Sequence, residues 1–158
     1  MTMILAIDPG PERSAWVQMR GMEVIAHSIE DNDVIANDLQ MTRGGINHLA
    51  VEMVASYGMP VGREVFETCV WAGRFIQAYD GPFDKVYRQQ VKMELCKDSR
   101  AKDSHIRQAL IDLYGPGRGV AVGTKAKPGP LYGVKKDIWA ALAVGVTWTR
   151  GQQRSMAA

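Results

Sequence analysis

Apolar and polar positions fall into blocks that read strand, strand, strand, helix, strand, helix, strand, helix, helix. Met3 to Ile7 is an apolar run that ends at Asp8 and the turn Pro9-Gly10, as a buried strand would. Ser14 to Arg20 and Met22 to Ile29 predict two further strands joined at Arg20-Gly21, giving an antiparallel three-strand meander. Asp31 to Gln40 predicts a short helix, and Ile46 to Val54 a strand apolar enough to lie inside a sheet. From Arg63 to Tyr79, Val65, Phe66, Cys69, Val70, Gly73 and Ile76 recur at helical spacing, and Gly81-Pro82 closes the helix. Lys85 to Gln89 predicts a short strand. Ser104 to Tyr114 predicts a helix with Ile106, Ala109, Leu110 and Leu113 on one face and Asp103 or Ser104 as its cap. Gly115 to Lys136 reads as a long irregular Gly/Lys/Pro loop, either folding onto a ligand or merely mobile. Asp137 to Trp148 predicts the closing helix, and the polar tail from Arg150 is expected to fray. The fold class is therefore α/β, a mixed sheet flanked by helices, with one domain over residues 1–150 and a tail over 151–158.

Three acids interrupt this pattern. Asp8 ends the first apolar run, Glu52 sits between Val51 and Met53, and Asp137 opens the last apolar helix. Buried carboxylates are costly unless paired or bound to a cation. Each has an ordinary reading when taken alone: an Asx turn for Asp8, an edge-strand surface acid for Glu52 and a helix N-cap for Asp137. If all three converge, their mutual repulsion calls for a divalent metal.

Composition narrows the picture in two ways. No apolar run is long enough to span a membrane, and Cys69 and Cys96 have no metal-ligand spacing, so free thiols in the cytoplasm are expected. His27, His48 and His105 likewise lack a zinc spacing. The net charge of +2 conceals an asymmetry. Residues 1–84 carry five Lys/Arg against twelve Asp/Glu, whereas residues 85–136 carry twelve against four. A basic second half of this kind points to a polyanion partner, although such lysines can also simply solvate a surface.

Ala6-Ile7-Asp8-Pro9-Gly10, then Val51-Glu52, then the Asp137 helix with Leu142-Ala143-Val144-Gly145-Val146-Thr147-Trp148, resemble the RuvC-type Holliday-junction resolvases of the RNase H-like superfamily. Ser99 to Arg107 is similar to that family's basic stretch before its penultimate helix, so the likeness spans roughly residues 3 to 148. The short RuvC-like endonucleases of bacteriophages and prophages are the members it looks most like. The resemblance implies an Mg²⁺- or Mn²⁺-dependent endonuclease that hydrolyses phosphodiester bonds in branched DNA. Four-way junctions, forks and flaps are the implied substrates, in phage recombination or replication within a bacterial host cell. It implies two metal ions held by Asp8, Glu52 and Asp137, with Asp8 bridging, and a homodimer joined partly through the Arg63–Tyr79 helix.

The family places a second acid or His three residues after the first at the start of its last helix. This chain has Ala140 there, or Val134 if Asp137 is set on the second position. Asp103 and His105 are the replacements to consider. Lys136 is expected to steady transition-state charge, with Lys135 beside it. Lys97, Arg100, Lys102, Arg107, Lys125 and Lys127 read as contacts to DNA phosphates, which add affinity without sequence selectivity. Tyr57 is the candidate wedge between base pairs, with simple packing as its other reading. Three rivals remain: a branched-DNA binding module disabled at Ala140, a nuclease acting on RNA–DNA hybrids, for which no 2′-OH reader stands out, and a small-molecule kinase-type ATPase of the same superfold, which would need more phosphate-binding loops than this chain supplies.

Overall fold

A computed structural model describes residues 1–41 and 45–158. Its strands are β1 (Met3–Asp8), β2 (Arg13–Arg20), β3 (Glu23–Asp31), β4 (His48–Met53) and β5 (Phe83–Tyr87). Its helices are α1 (Asn32–Met41), α2 (Arg63–Tyr79), α3 (Arg88–Cys96), α4 (Asp103–Tyr114), α5 (Arg118–Ala121) and α6 (Ile138–Ala157). The sheet order is β3-β2-β1-β4-β5. β1, β2 and β3 pair antiparallel, and β1–β4 and β4–β5 pair parallel. The expected mixed sheet, with its meander and hairpin at Arg20-Gly21, is what forms; Gly21 takes the left-handed turn position at φ 55.

Strand alternation divides the core into two. Ile4, Ala6 and Ala50 point to one face, where they pack with residues of α3, α4 and α6. Leu5, Ile7, Leu49 and Val51 point to the other, against α1 and α2. Asp8 continues the Ile4–Ala6 series and Glu52 continues from Ala50, so the same two-residue period sends both acids to the α6 face. α6 lies close on that face because Gly145 has no side chain. A Cβ there would come within 2.5 Å of Met19 Sδ and 3.2 Å of Ala6 Cβ.

Three expectations need correction. The segment after β5 turns helical at Arg88 rather than continuing as strand to Gln89; Val91 and Glu94 bury one side of the resulting α3. Residues 115–136 do not form an open irregular loop. α5 and the Gly123–Pro128 bridge organise them, Leu131 N–H donates to Ala121 O at 2.8 Å, and Ala121, Leu131 and Val134 enter the core. The tail does not fray, since α6 runs on to Ala157. Buried Glu94 of α3 explains this by pairing with Arg150 (3.5 Å) and Arg154 of α6 and with Lys97 (3.8 Å).

Candidate active site

The last residue pair of the parallel β1–β4 ladder is Ile7 with Val51, so Asp8 and Glu52 leave it side by side. Their carboxyls interact directly, which favours the protonated form of Asp8 and opposes protonation of Glu52. Burial first, then the charge of Glu52, this direct interaction and the charge of Asp137 push Asp8 up to about 9, against the weaker pull of Arg88. Burial also raises Glu52, while Arg88 and Asp8 oppose it and Asp103 and Asp137 add to it. Glu52 Oε2 is buried with no fixed hydrogen-bond donor.

None of the ordinary readings of the three acids describes what forms. An Asx turn at Asp8 would take the Gly10 N–H, but Ser14 Oγ accepts it at 3.0 Å. Buried Asn32 completes that turn by donating to Gly10 O at 2.9 Å, and a Cβ on Gly10 would strike Arg13 O. Glu52 lies on an inner strand with its side chain 13% exposed, so it is not an edge acid. Asp137 occupies the N-cap position of α6 yet makes no side-chain capping bond, which leaves its carboxylate available. Lys136 precedes it in the left-handed conformation at φ 50.

A cleft of about 210 Å³ opens on the Asp137 side of the acids, lined by Arg88, Asp103, Arg107, Lys136, Asp137 and Ala140 among others, with Asp8 and Glu52 outside its lining. Lys136 and Arg107 thus share a cleft with Asp137 and Asp103. Asp103 lines the same cleft as Ala140 and is ion-paired with Arg88. His105 is directed elsewhere, its Nδ1 accepting the Lys102 N–H at 3.1 Å. The remaining predicted contacts lie outside the cleft. Lys97 pairs with Glu94, Arg100 with Asp98 at 3.8 Å, and Lys102, Lys125 and Lys127 are exposed. Tyr57 is exposed at φ 50 in the β4–α2 loop.

Arg88 is the residue that sequence reasoning missed. It stands 4.0 Å from Glu52 Oε1 and also reaches Asp103. Its signal was the start of α3 immediately after β5, where the Met53–Tyr87 register brings it next to Glu52.

Among the described residues, no three His, Cys, Asp or Glu side chains close into a ready-made metal cage. The donor set nevertheless fits a hard divalent cation. It is all oxygen, it repels itself, and it contains the undonated Glu52 Oε2.

Three antiparallel strands followed by parallel β4 and β5, helices on both faces and acids at the ends of β1 and β4 define an RNase H-like fold of the RuvC type. Thermus thermophilus RuvC matches it with a TM-score of 0.64 and 16% identity over 97% of both chains. The T. thermophilus RuvC structure in complex with a Holliday junction substrate matches with a TM-score of 0.66 and 15% identity, covering 98% of this chain and 97% of that one. No family model and no curated protein matches the chain. No helix among the described residues is long and apolar enough to cross a membrane.

Proposed function

We propose that this protein is a divalent-metal-dependent, structure-selective endonuclease that cuts branched DNA, four-way junctions included. The observation that carries this reading is the meeting of Asp8 and Glu52 at adjacent parallel strand ends, with Asp137 acting on both from the start of α6. The structural neighbour solved on a Holliday junction supports the choice of substrate.

Asp8, Glu52 and Asp137 would hold Mg²⁺ or Mn²⁺, which when bound activates water and stabilises the leaving oxygen. Asp8 would give up its proton on loading, because a cation offsets the burial and the repulsion that keep it protonated. Arg88, Arg107 and Lys136 then orient the scissile phosphate from the cleft walls, with Lys136 nearest Asp137 in sequence. A homodimer would place two such sites on one junction. Phe66 and Val70 on α2, 61% and 56% exposed, suit that contact. Action in phage DNA processing inside a bacterial cell follows from the sequence resemblance.

A second reading, junction binding without cleavage, is favoured by Ala140 and by the absence of a closed three-donor cage among the described residues. One experiment separates the two. A labelled four-way junction and a linear duplex are incubated with Mg²⁺ or Mn²⁺ and either wild type or Asp8→Asn. Paired nicks near the crossover, lost in Asp8→Asn while binding persists, support the nuclease. Tight binding without nicks in either metal supports the binding module.

A further inference from the structure

A second cleft, of about 330 Å³, adjoins the first and has Lys136 in common with it. Arg13 of β2 forms one wall, His27, Ser28 and Ile29 of β3 the floor, and Gly133, Lys135 and Lys136 the other wall. No Asp or Glu lines it, in contrast to the neighbouring cleft, which contains Asp103 and Asp137. Among the described residues Lys135 and Lys136 have no acidic partner, and Arg13 pairs only with exposed Asp31 at 3.4 Å.

Hydrogen bonds connect the elements that line the cleft. His27 Nε2 bonds Tyr132 O at 3.1 Å, tying β3 to the segment that carries Lys135. Gly133, at φ 84, lets the chain pass over the His27 ring, where a Cβ would stand 3.2 Å away. Arg13 is itself steadied by donating to Ile29 O at 3.0 Å. A trough with three cations and no carboxylate in its lining suits a polyanion.

We infer that this trough seats the DNA backbone beside the scissile phosphate, with Arg13 and Lys135 contacting its phosphates and Lys136 lying where the two clefts join. The inference rests on the nuclease reading and extends it to residues of β2 and β3 that the charge pattern of the sequence did not reveal. Arg13 lies in the acidic first half of the chain.

The test is junction affinity in EDTA, measured by fluorescence anisotropy across a salt series. The proteins are wild type, Arg13→Ala, Lys135→Ala, Arg13→Lys and Arg20→Ala. Arg20 lies at the far end of β2, opposite Met3, and controls for loss of one positive charge. Each of Arg13→Ala and Lys135→Ala should weaken binding several-fold and flatten the slope of log K against log salt by about 0.9. Arg13→Lys should retain the wild-type slope, which a folding defect would not explain, and Arg20→Ala should leave it unchanged. Wild-type slopes in both Ala variants, or an equal loss in Arg20→Ala, would overturn the inference while leaving the nuclease reading intact. Failure of the wild-type protein to bind junctions would overturn both. Dependence on Arg13 and Lys135 seen only with an RNA junction would overturn the assignment to DNA.

Discussion

Asp8 and Glu52 prolong the Ile7–Val51 pair of the parallel ladder, and burial together with the charge of Glu52 raises the cost of ionising Asp8, so that Asp8 holds its proton. The unfolded chain releases the Asp8 proton near 3.8, whereas the folded chain holds it to about 9. The folded state therefore binds the proton more tightly, and the associated stability is complete below about pH 4 and declines as pH rises toward about 9. Without divalent cations, the Tm should fall between about pH 5 and pH 8. Asp8→Asn should flatten that dependence and melt higher at the alkaline end. A wild-type Tm that climbs over this range would rule out a proton held on Asp8.

Cation binding reverses the sign, because ionised acids are then the favoured partners. Mg²⁺ added at about pH 8 should raise the wild-type Tm by a few degrees and leave that of Asp8→Asn nearly unmoved. Equal shifts in both proteins would place the ion elsewhere.

Arg88 competes with any cation at Glu52, from which it stands 4.0 Å. Arg88→Met should tighten Mg²⁺ binding in calorimetric titrations without DNA. The same substitution should slow junction cleavage roughly ten- to a hundredfold at saturating metal, since a phosphate-orienting charge is lost. Weaker metal binding in Arg88→Met would show that Arg88 organises the acids instead of opposing the ion.

Gly145→Ala tests how α6 is seated. Its Cβ would meet buried Met19 Sδ at 2.5 Å, and overpacking of this kind costs about 1–3 kcal/mol. Urea unfolding should report that loss, and cleavage should fall as Asp137 moves with the helix. Unchanged stability would mean that Met19 yields without cost.

Glu94 holds the end of α6 through Arg150 and Arg154. Its side chain is 6% exposed but its partners face solvent, so Glu94→Gln should cost about 1–2 kcal/mol, less than a fully buried pair. Hydrogen exchange should show the backbone beyond Arg150 losing protection first. Uniform protection in the variant would assign the helix end to other contacts.

Much of the sheet was legible because its signals are local. Met3 to Ile7 is apolar and stops at a turn, and the Val65–Ile76 periodicity marks the span of α2, although the face it buries is Ala72, Phe75, Ala78 and Tyr79 rather than that stripe. The helix α3 was not legible, because its buried positions include Glu94, a charge that breaks the apolar stripe and is compensated by Lys97 and by two arginines far along the chain. The segment of residues 115–136 concealed its order in the same way. Ala121, Leu131 and Val134 reach the core at irregular spacing, and backbone hydrogen bonds hold the rest. At the site, the three acids were visible as interruptions of apolar runs. Arg88 was one cation among twelve in its segment until the β4–β5 register set it against Glu52. Ser14 and Asn32, which shape the turn after Asp8, were hidden because a buried Ser–Asn pair leaves no trace in hydrophobic patterning.

The pairing of Glu94 with Arg150 and Arg154 bears on how the protein can be handled. α3 starts at Arg88 and α6 at Asp137, so both helices begin at the cleft and are fastened to each other farther along. Anything joined to the chain close beyond Arg154 would extend directly from that fastening, whereas anything joined beside β1 would not.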